Sequence, residues 1–114
     1  MIKYRVLITS VSGAFGPKNI DFMKESIKGE VWVLGVDKIH SYVAEKNADK
    51  FVIVPSGNSI SYIDKICELI KIYNISLVLP CSDEEAISLS KNRIKIESTG
   101  ASLATAEFSK INIM

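Results

Sequence analysis

Residues 4–17 read YRVLITSVSGAFGP, an apolar segment followed by a loop of serine and glycine and then by a proline. The apolar residues from Val6 to Ile8 favour a strand that is buried on both faces. Pro17 favours the first turn of a helix, because its fixed φ suits that position. In such a unit the N–H groups of the loop and the positive end of the helix dipole point to one place. The segment therefore predicts a strand, a loop with an anion pocket, and a helix.

The composition is that of one soluble globular domain. The chain has 114 residues, of which 47% are hydrophobic and 24% are charged, and its formal net charge is +1. The basic residues are scattered, which gives no support for a nucleic-acid or membrane-surface partner. No apolar run has the length of a signal-peptide core or a membrane span. Cys67 and Cys81 are too far apart for a CxxC motif, and free thiols are typical of a reducing cytoplasm.

Strand and helix patterns alternate along the rest of the chain. Short β-branched segments predict strands, and apolar residues at helical spacing predict helices between them. This alternation predicts parallel strands joined by right-handed crossovers. The expected fold is therefore α/β and doubly wound (Rossmann-like), with a mainly parallel five-stranded sheet and helices on both faces. The predicted strands are residues 4–9, 31–36, 51–54, 75–79 and 101–103, and the predicted helices begin near residues 17, 41, 61 and 82.

Capping patterns mark the ends of the later helices. Ser61 and Asp64 predict a capping box, S-x-x-D, at the start of the clearest helix. Ser82 predicts the cap of the next helix, which is expected to fade through residues 92–98. Thr105 predicts the cap of a last helix that has hardly begun when the sequence ends. The inward face of the clearest helix is predicted to consist of Ile63, Ile66, Cys67 and Ile70.

Three polar segments follow predicted strands, at residues 10–16, 37–41 and 80–85. The carboxyl ends of parallel strands lie at one edge of the sheet, and ligands bind there in doubly wound folds. We therefore expect these three segments to converge around one ligand site.

The glycine loop and Asp37 each have two interpretations. Gly13 and Gly16 match the last two glycines of G-x-G-x-x-G, but Val11 stands where the first glycine belongs. The pair either lets the first helix pack closely on the sheet or binds an anion or a carbonyl group of a substrate. Asp37, at the end of the second strand, is either a solvated loop residue or the acid that binds a ribose hydroxyl.

Residues 81–85, CSDEE, follow the fourth strand. Three acidic residues in a first helical turn stabilise the helix dipole. The functional alternative is a cleft wall that orders a cation, an amine or a neighbouring domain. Cys81 is a nucleophile only with a base nearby, and His40 is not expected to serve as one. No metal-ligand spacing is present, so no catalytic residue and no metal ligand is assigned.

Several segments in their order and spacing resemble the N-terminal "pre-ATP-grasp" domain of ATP-grasp ligases, above all the members that are similar to the large chain of carbamoyl-phosphate synthase. The resemblance extends over nearly the whole chain. The segments that carry it are VLITS (6–10), GAFG (13–16), LGVD (34–37), ADKFVIVP (48–55), ISLVLPCSDEE (75–85) and LSKNR (89–93).

The resemblance implies one domain, residues 1–114, of a longer ligase. Such enzymes use ATP and Mg²⁺ to phosphorylate a carboxylate or bicarbonate, and an amine or ammonia then attacks the acyl phosphate. The ligands for ATP and Mg²⁺ lie in a C-terminal ATP-grasp module that is absent here, so the isolated chain is expected to be inactive and to bind no cofactor. By position, the residues that line the cleft for the small-molecule substrate would be Ser10, Val11, Ser12, Gly13, Ala14, Phe15, Gly16, Asp37, Ser82, Asp83, Glu84 and Glu85.

Two other functions remain open on the residues alone. One is a nicotinamide-dinucleotide domain of a dehydrogenase or epimerase, although YIDK at residues 62–65 is one residue short of Tyr-x-x-x-Lys. The other is a non-catalytic α/β module; a receiver-type phosphoacceptor would need an aspartate where Val54 and Pro55 end the third strand. The sequence indicates no oligomeric state.

Overall fold

The structure is a computed structural model that describes residues 4–12, 16–26 and 30–104. These residues form ten elements of secondary structure. Strands and helices alternate through the first four strands, as predicted. The strands are β1 (Tyr4–Ile8), β2 (Val31–Asp37), β3 (Lys50–Ile53), β4 (Leu77–Leu79) and β5 (Ser102–Leu103). The helices are α1 (Gly16–Ser26), α2 (Tyr42–Asn47), α3 (Tyr62–Tyr73), α4 (Asp83–Lys91) and α5 (Arg93–Glu97).

The five strands form one parallel sheet in the order β3-β2-β1-β4-β5. β1 lies at the centre, where Val6 pairs with Val33 of β2 on one side and with Leu77 of β4 on the other. The chain thus proceeds outward from β1 in both directions, and the strand order reverses between β1 and β4. This topological switch point leaves a crevice at the carboxyl ends of β1 and β4. The doubly wound, Rossmann-like fold is confirmed.

Helices cover both faces of the sheet, because successive strand side chains point to opposite sides. On one face Leu7 of β1 packs in a core with Ile66 of α3 and Ile96 of α5. On the other face Val6 packs in a second core with Ile20 of α1 and with α2. A central strand is apolar where cores cover both of its faces, which is why Val6, Leu7 and Ile8 of β1 form a continuous apolar run.

The capping box predicted at Ser61 and Asp64 is wrong. Ser61 already has helical backbone angles (φ −88°, ψ −3°), and its side chain caps no N–H group. Its hydroxyl instead pairs with the Ser59 hydroxyl at 2.9 Å, while the Asp64 carboxylate accepts a hydrogen bond from Lys95 Nζ at 2.6 Å. The cap at Ser82 is confirmed, since its Oγ accepts a hydrogen bond from the Glu85 N–H.

The helix that starts after Ser82 does not fade through residues 92–98. α4 ends at Lys91, Asn92 interrupts it, and α5 follows at once. Ile96 is fully buried, so packing against the core stabilises a short helix that its sequence alone supports poorly. The predicted cap at Thr105 lies outside the described residues. Within those residues, no helix is long and apolar enough to cross a membrane.

Candidate functional site

The carboxyl ends of β1, β2 and β4 meet at one rim of the sheet. Ser10 Oγ, after β1, donates a hydrogen bond to Glu85 Oε2 of α4, although the two residues are 75 positions apart. The Ser12 N–H donates to Asp37 Oδ2 at the end of β2, at 3.0 Å. The Cys81 N–H, after β4, donates to Thr9 Oγ1 at 3.0 Å. The expected convergence of the three segments is therefore confirmed.

Asp37 fastens the first loop to the end of β2. Its Oδ2 accepts from the Ser12 N–H, and its Oδ1 accepts from the Lys38 N–H at 2.6 Å. Ser12 is held further by its hydroxyl, which donates to the Ile39 carbonyl at 2.9 Å. Both carboxylate oxygens are thus engaged by backbone groups. A loop N–H that was expected to bind an external anion is bound by the protein's own carboxylate.

A cavity of about 260 Å³ opens at this rim. Its charged lining consists of three carboxylates, from Asp37, Glu84 and Glu85, and one cation, Lys38. Because like charges in a partly enclosed site reinforce one another, the cavity favours a positively charged group over an anion. The other lining residues are Ser10, Val54, Pro55, Ser56, Gly57, Tyr62 and Ser82.

Glu85 connects the first loop to the cap of α4. Its Oε2 accepts hydrogen bonds from Ser10 Oγ and from Ser82 Oγ, the latter at 2.5 Å. Ser10 itself has a left-handed backbone (φ 55°), a conformation that is uncommon for a residue other than glycine. In this conformation its side chain donates the hydrogen bond to Glu85. Unusual backbone angles of this kind are concentrated at binding sites.

The turn after β3 also belongs to the site, which the sequence analysis did not predict. Ser56 Oγ donates to Glu84 Oε1 at 2.9 Å, and Asn58 Nδ2 donates to Glu84 Oε2 at 3.2 Å. A Cβ on Gly57 would lie 3.1 Å from Glu85 Cγ, so a larger residue at this position requires the Glu85 side chain to shift by a few tenths of an ångström. The signal was available, because this serine-glycine-asparagine turn follows a strand of the same parallel sheet.

The remaining predicted site residues have other positions. Val11 is buried in the core, and Asp83 is exposed and does not line the cavity. Gly16 begins α1. Gly13, Ala14 and Phe15 lie outside the described residues. The role of the twelve residues in substrate binding stays a prediction.

Cys81 and His40 do not form a pair. Cys81 Sγ accepts a hydrogen bond from Asn19 Nδ2 at 3.4 Å, and burial raises the pKa of its thiol. His40 Nε2 lies 2.6 Å from Glu45 Oε2, and its ring packs edge-on against Tyr42 and Phe51. A raised thiol pKa opposes nucleophilic reactivity, since the thiolate is the reactive form.

Tyr62, the first residue of α3, lies beneath the acidic cavity. Its side chain is only 1% exposed and its ring belongs to the core. Burial raises the pKa of its phenol far above the ordinary value, and the carboxylates of Glu85 and Asp37 act in the same direction. Among the described residues, none accepts a hydrogen bond from its hydroxyl. The residue nevertheless lines the cavity.

Comparison with protein families adds an independent finding. Residues 6–104 match the family described as PylC-like, N-terminal domain. This match covers most of the chain and all five strands except the first two residues of β1. The chain belongs to this family. It is therefore an N-terminal domain of the kind found in ATP-grasp enzymes, which confirms the general resemblance but not the specific likeness to carbamoyl-phosphate synthase. No curated protein matches the chain.

Solved structures share the fold of this PylC-like domain. Glycinamide-RNase-transformylase T from Mycobacterium tuberculosis matches with a TM-score of 0.64 and 14% identity, over 95% of this chain and 30% of that one. The dTDP-glucose 4,6-dehydratase from Bacillus anthracis, in complex with NAD, matches with a TM-score of 0.61 and 11% identity, over 89% of this chain and 36% of that one.

A short-chain dehydrogenase/reductase from Saccharomyces cerevisiae matches with a TM-score of 0.61 and 16% identity, over 89% of this chain and 52% of that one. The PylC-like domain thus spans between about a third and a half of these proteins. At such identities the three matches show the fold alone.

Proposed function

We propose that this domain forms one wall of the substrate cleft in an ATP-dependent ligase that joins a carboxylate or bicarbonate to an amine or ammonia through an acyl phosphate. The observation that carries the proposal is the match of residues 6–104 to the PylC-like N-terminal domains of ATP-grasp enzymes. The geometry supports it, because a hydrogen-bonded rim with its own cavity lies at the switch point of the sheet.

The acidic cavity suits the amine side of such a reaction. The carboxylates of Asp37, Glu84 and Glu85 face one cation, Lys38, so the lining favours a protonated amine. Hydrogen bonds from the protein fix the orientation of all three carboxylates before a ligand arrives. Preorganised charges of this kind orient a substrate at little entropic cost. The role of these residues is thus to bind and orient the amine.

The described residues do not fit ATP phosphates or Mg²⁺. The Ser12 N–H is engaged by Asp37, and the lining carboxylates repel a phosphate. In the part of the chain that the structure describes, no group of three histidine, cysteine, aspartate or glutamate side chains is placed to hold a metal ion. On the strength of the family match, we infer that the ATP and Mg²⁺ ligands, and the catalytic residues, belong to the ATP-grasp module that accompanies such domains.

The nicotinamide-binding alternative has less support. Two of the similar structures are a dehydratase in complex with NAD and a short-chain dehydrogenase/reductase, but their likeness concerns the fold alone. A ribose hydroxyl at the end of β2 would have to share Asp37 with the first loop and with Lys38, because each Asp37 oxygen already accepts a backbone hydrogen bond.

The proposal is tested on a protein in which this domain is followed by an ATP-grasp module. We expect ATP- and Mg²⁺-dependent release of ADP in the presence of a carboxylate and an amine. Glu85→Gln removes one cavity charge and is expected to raise the KM of the amine about 5- to 30-fold, with the KM of ATP unchanged. The matched control is Glu68→Gln on the exposed side of α3, which should alter neither constant.

Two results would contradict the proposal. One is equal KM values for the amine in both variants and the unaltered enzyme. The other is a strong thermal shift of the isolated chain with NADH, which would favour the dinucleotide alternative.

A further inference from the structure

The Tyr62 hydroxyl is a buried hydrogen-bond donor without an acceptor among the described residues. Nearly all buried polar groups in folded proteins are paired, because an unpaired one has lost its hydrogen bonds to water. The ring is anchored in the core between sheet and α3, so the position of the hydroxyl is well defined. Since Tyr62 also lines the rim cavity, its unpaired hydroxyl belongs to a residue that a ligand in this cavity would contact.

The neighbouring carboxylates are already engaged by other donors. Asp37 accepts from two backbone N–H groups, and Glu84 accepts from Ser56 and Asn58. Glu85 Oε2 accepts from two serine hydroxyls. The phenol is therefore the one buried side-chain donor of the cavity whose hydrogen the described residues leave unused. Burial raises its pKa, so it stays protonated and can donate at any physiological pH.

We propose that Tyr62 is a specificity-determining residue, which donates a hydrogen bond to an uncharged oxygen of an ammonium-bearing ligand in the rim cavity. The acceptor is a hydroxyl, ether or carbonyl oxygen. A carboxylate in the same place would face the charges of Asp37, Glu84 and Glu85 at close range. The inference deepens the proposed function and rests on it in one respect, namely that this cavity holds the amine substrate.

The test compares two probes of equal size on the 114-residue chain. Ethanolamine carries an ammonium and a hydroxyl oxygen, whereas n-propylamine carries the ammonium alone. Both are titrated at neutral pH and constant ionic strength into ¹⁵N-labelled protein, and binding is followed by NMR. We expect the signals of Ser10 and Ser82 to move, and ethanolamine to bind about five- to tenfold more tightly than n-propylamine.

The deciding variant is Tyr62→Phe, which keeps the ring and removes the hydroxyl. We expect the preference for ethanolamine to fall to about onefold in this variant. Its melting temperature should be equal to or higher than that of the unaltered chain, because a buried unpaired hydroxyl is lost. The matched control is Tyr73→Phe on the same helix, whose ring stacks on Trp32 and does not line the cavity. This control should retain the full preference.

The inference is overturned if both probes bind the unaltered chain equally, or if Tyr62→Phe retains the preference. Either result leaves an amine site in place and so leaves the proposed function intact. Failure of both probes to bind overturns the assigned ligand class. The turnover assay with Glu85→Gln then decides the proposed function separately, since it needs neither probe.

Discussion

Replacing Gly35 with alanine is expected to destabilise the domain, although alanine is ordinarily the better residue inside a strand. Gly35 lies in β2 beneath the first loop. A Cβ at this position would lie 3.2 and 3.4 Å from the two Cγ atoms of Val11 and 3.3 Å from the Cβ of Ala48. Rotation of Val11 only exchanges one methyl group for the other, and Ala48 has no side-chain torsion that could relieve the contact. The backbone of the loop or of the segment after α2 must therefore move.

The expected loss follows from two opposing contributions. Overpacking of a buried site costs about 1–3 kcal/mol. Alanine also lowers the conformational entropy of the unfolded chain, which stabilises the folded state by about 0.4–1 kcal/mol. The two ranges combine to a net loss in the free energy of unfolding of about 0–2.6 kcal/mol, with a central value of about 1.3 kcal/mol. For a domain of this size, the central value corresponds to a fall of roughly 5–10 °C in melting temperature.

Urea unfolding followed by circular dichroism measures this loss, together with a double-mutant cycle. In the background of Val11→Ala, which removes both Cγ atoms, Gly35→Ala is expected to cost about 0.5–2 kcal/mol less than in the unaltered chain. The urea m-value should stay constant, which shows that the same surface unfolds. An unchanged or raised melting temperature, or strictly additive costs in the cycle, would refute the steric argument.

Three further changes test the packing and the electrostatics. Ile66→Ala, in the core under the sheet, is expected to cost about 2–5 kcal/mol in urea unfolding, whereas Ile72→Ala, which is 60% exposed on the same helix, should stay within about 0.5 kcal/mol. Asp49→Asn weakens the hydrogen bonds that the Asp49 carboxylate accepts from the Val33 N–H (2.7 Å) and from Lys24 Nζ (3.1 Å). We expect it to lower the free energy of unfolding by about 0.5–1.5 kcal/mol, and by less at high salt. Equal losses at low and high salt would contradict an ionic contribution. Burial raises the pKa of the Tyr62 phenol in the folded chain above the ordinary value of 10.0. Tyr62 therefore contributes fully to stability below pH 10.0, and this contribution is lost as the pH rises further, because the unfolded chain releases the phenol proton first. Unfolding at pH 8 and pH 11 should show a smaller alkaline loss in Tyr62→Phe than in the unaltered chain, and an equal loss would show that the phenol does not titrate differently on folding.

The sequence predicts the architecture well because the relevant signals are local. The apolar run from Val6 to Ile8 indicates a strand that is buried on both faces, which is typical of a parallel sheet between two helical layers. Ser82 caps a helix through an N–H group three residues away, so the cap follows from a short segment. The polar segments after the strands indicate the rim, since parallel strands share one carboxyl edge.

Local sequence patterns give a wrong prediction where a residue far away in the sequence contacts the side chain in question. Ser61 and Asp64 have the spacing of a capping box, but Asp64 binds Lys95, 31 residues away. Residues 93–97 lack a strong helical pattern and form α5 because Ile96 reaches the core. Neither the Lys95 partner of Asp64 nor the core around Ile96 can be predicted from the sequence of the short segment itself.

The sequence by itself determined a doubly wound sheet and the edge at which a ligand would bind, because periodicity and caps are encoded within a few residues. Only the tertiary structure decided which side chains meet at that edge. Glu85 reaches Ser10 across 75 residues, the turn at Ser56 closes onto Glu84, and Tyr62 leaves its hydroxyl without an acceptor among the described residues. These contacts depend on the order and twist of the strands, which bring distant residues together. The sequence around each residue does not indicate which partner it contacts.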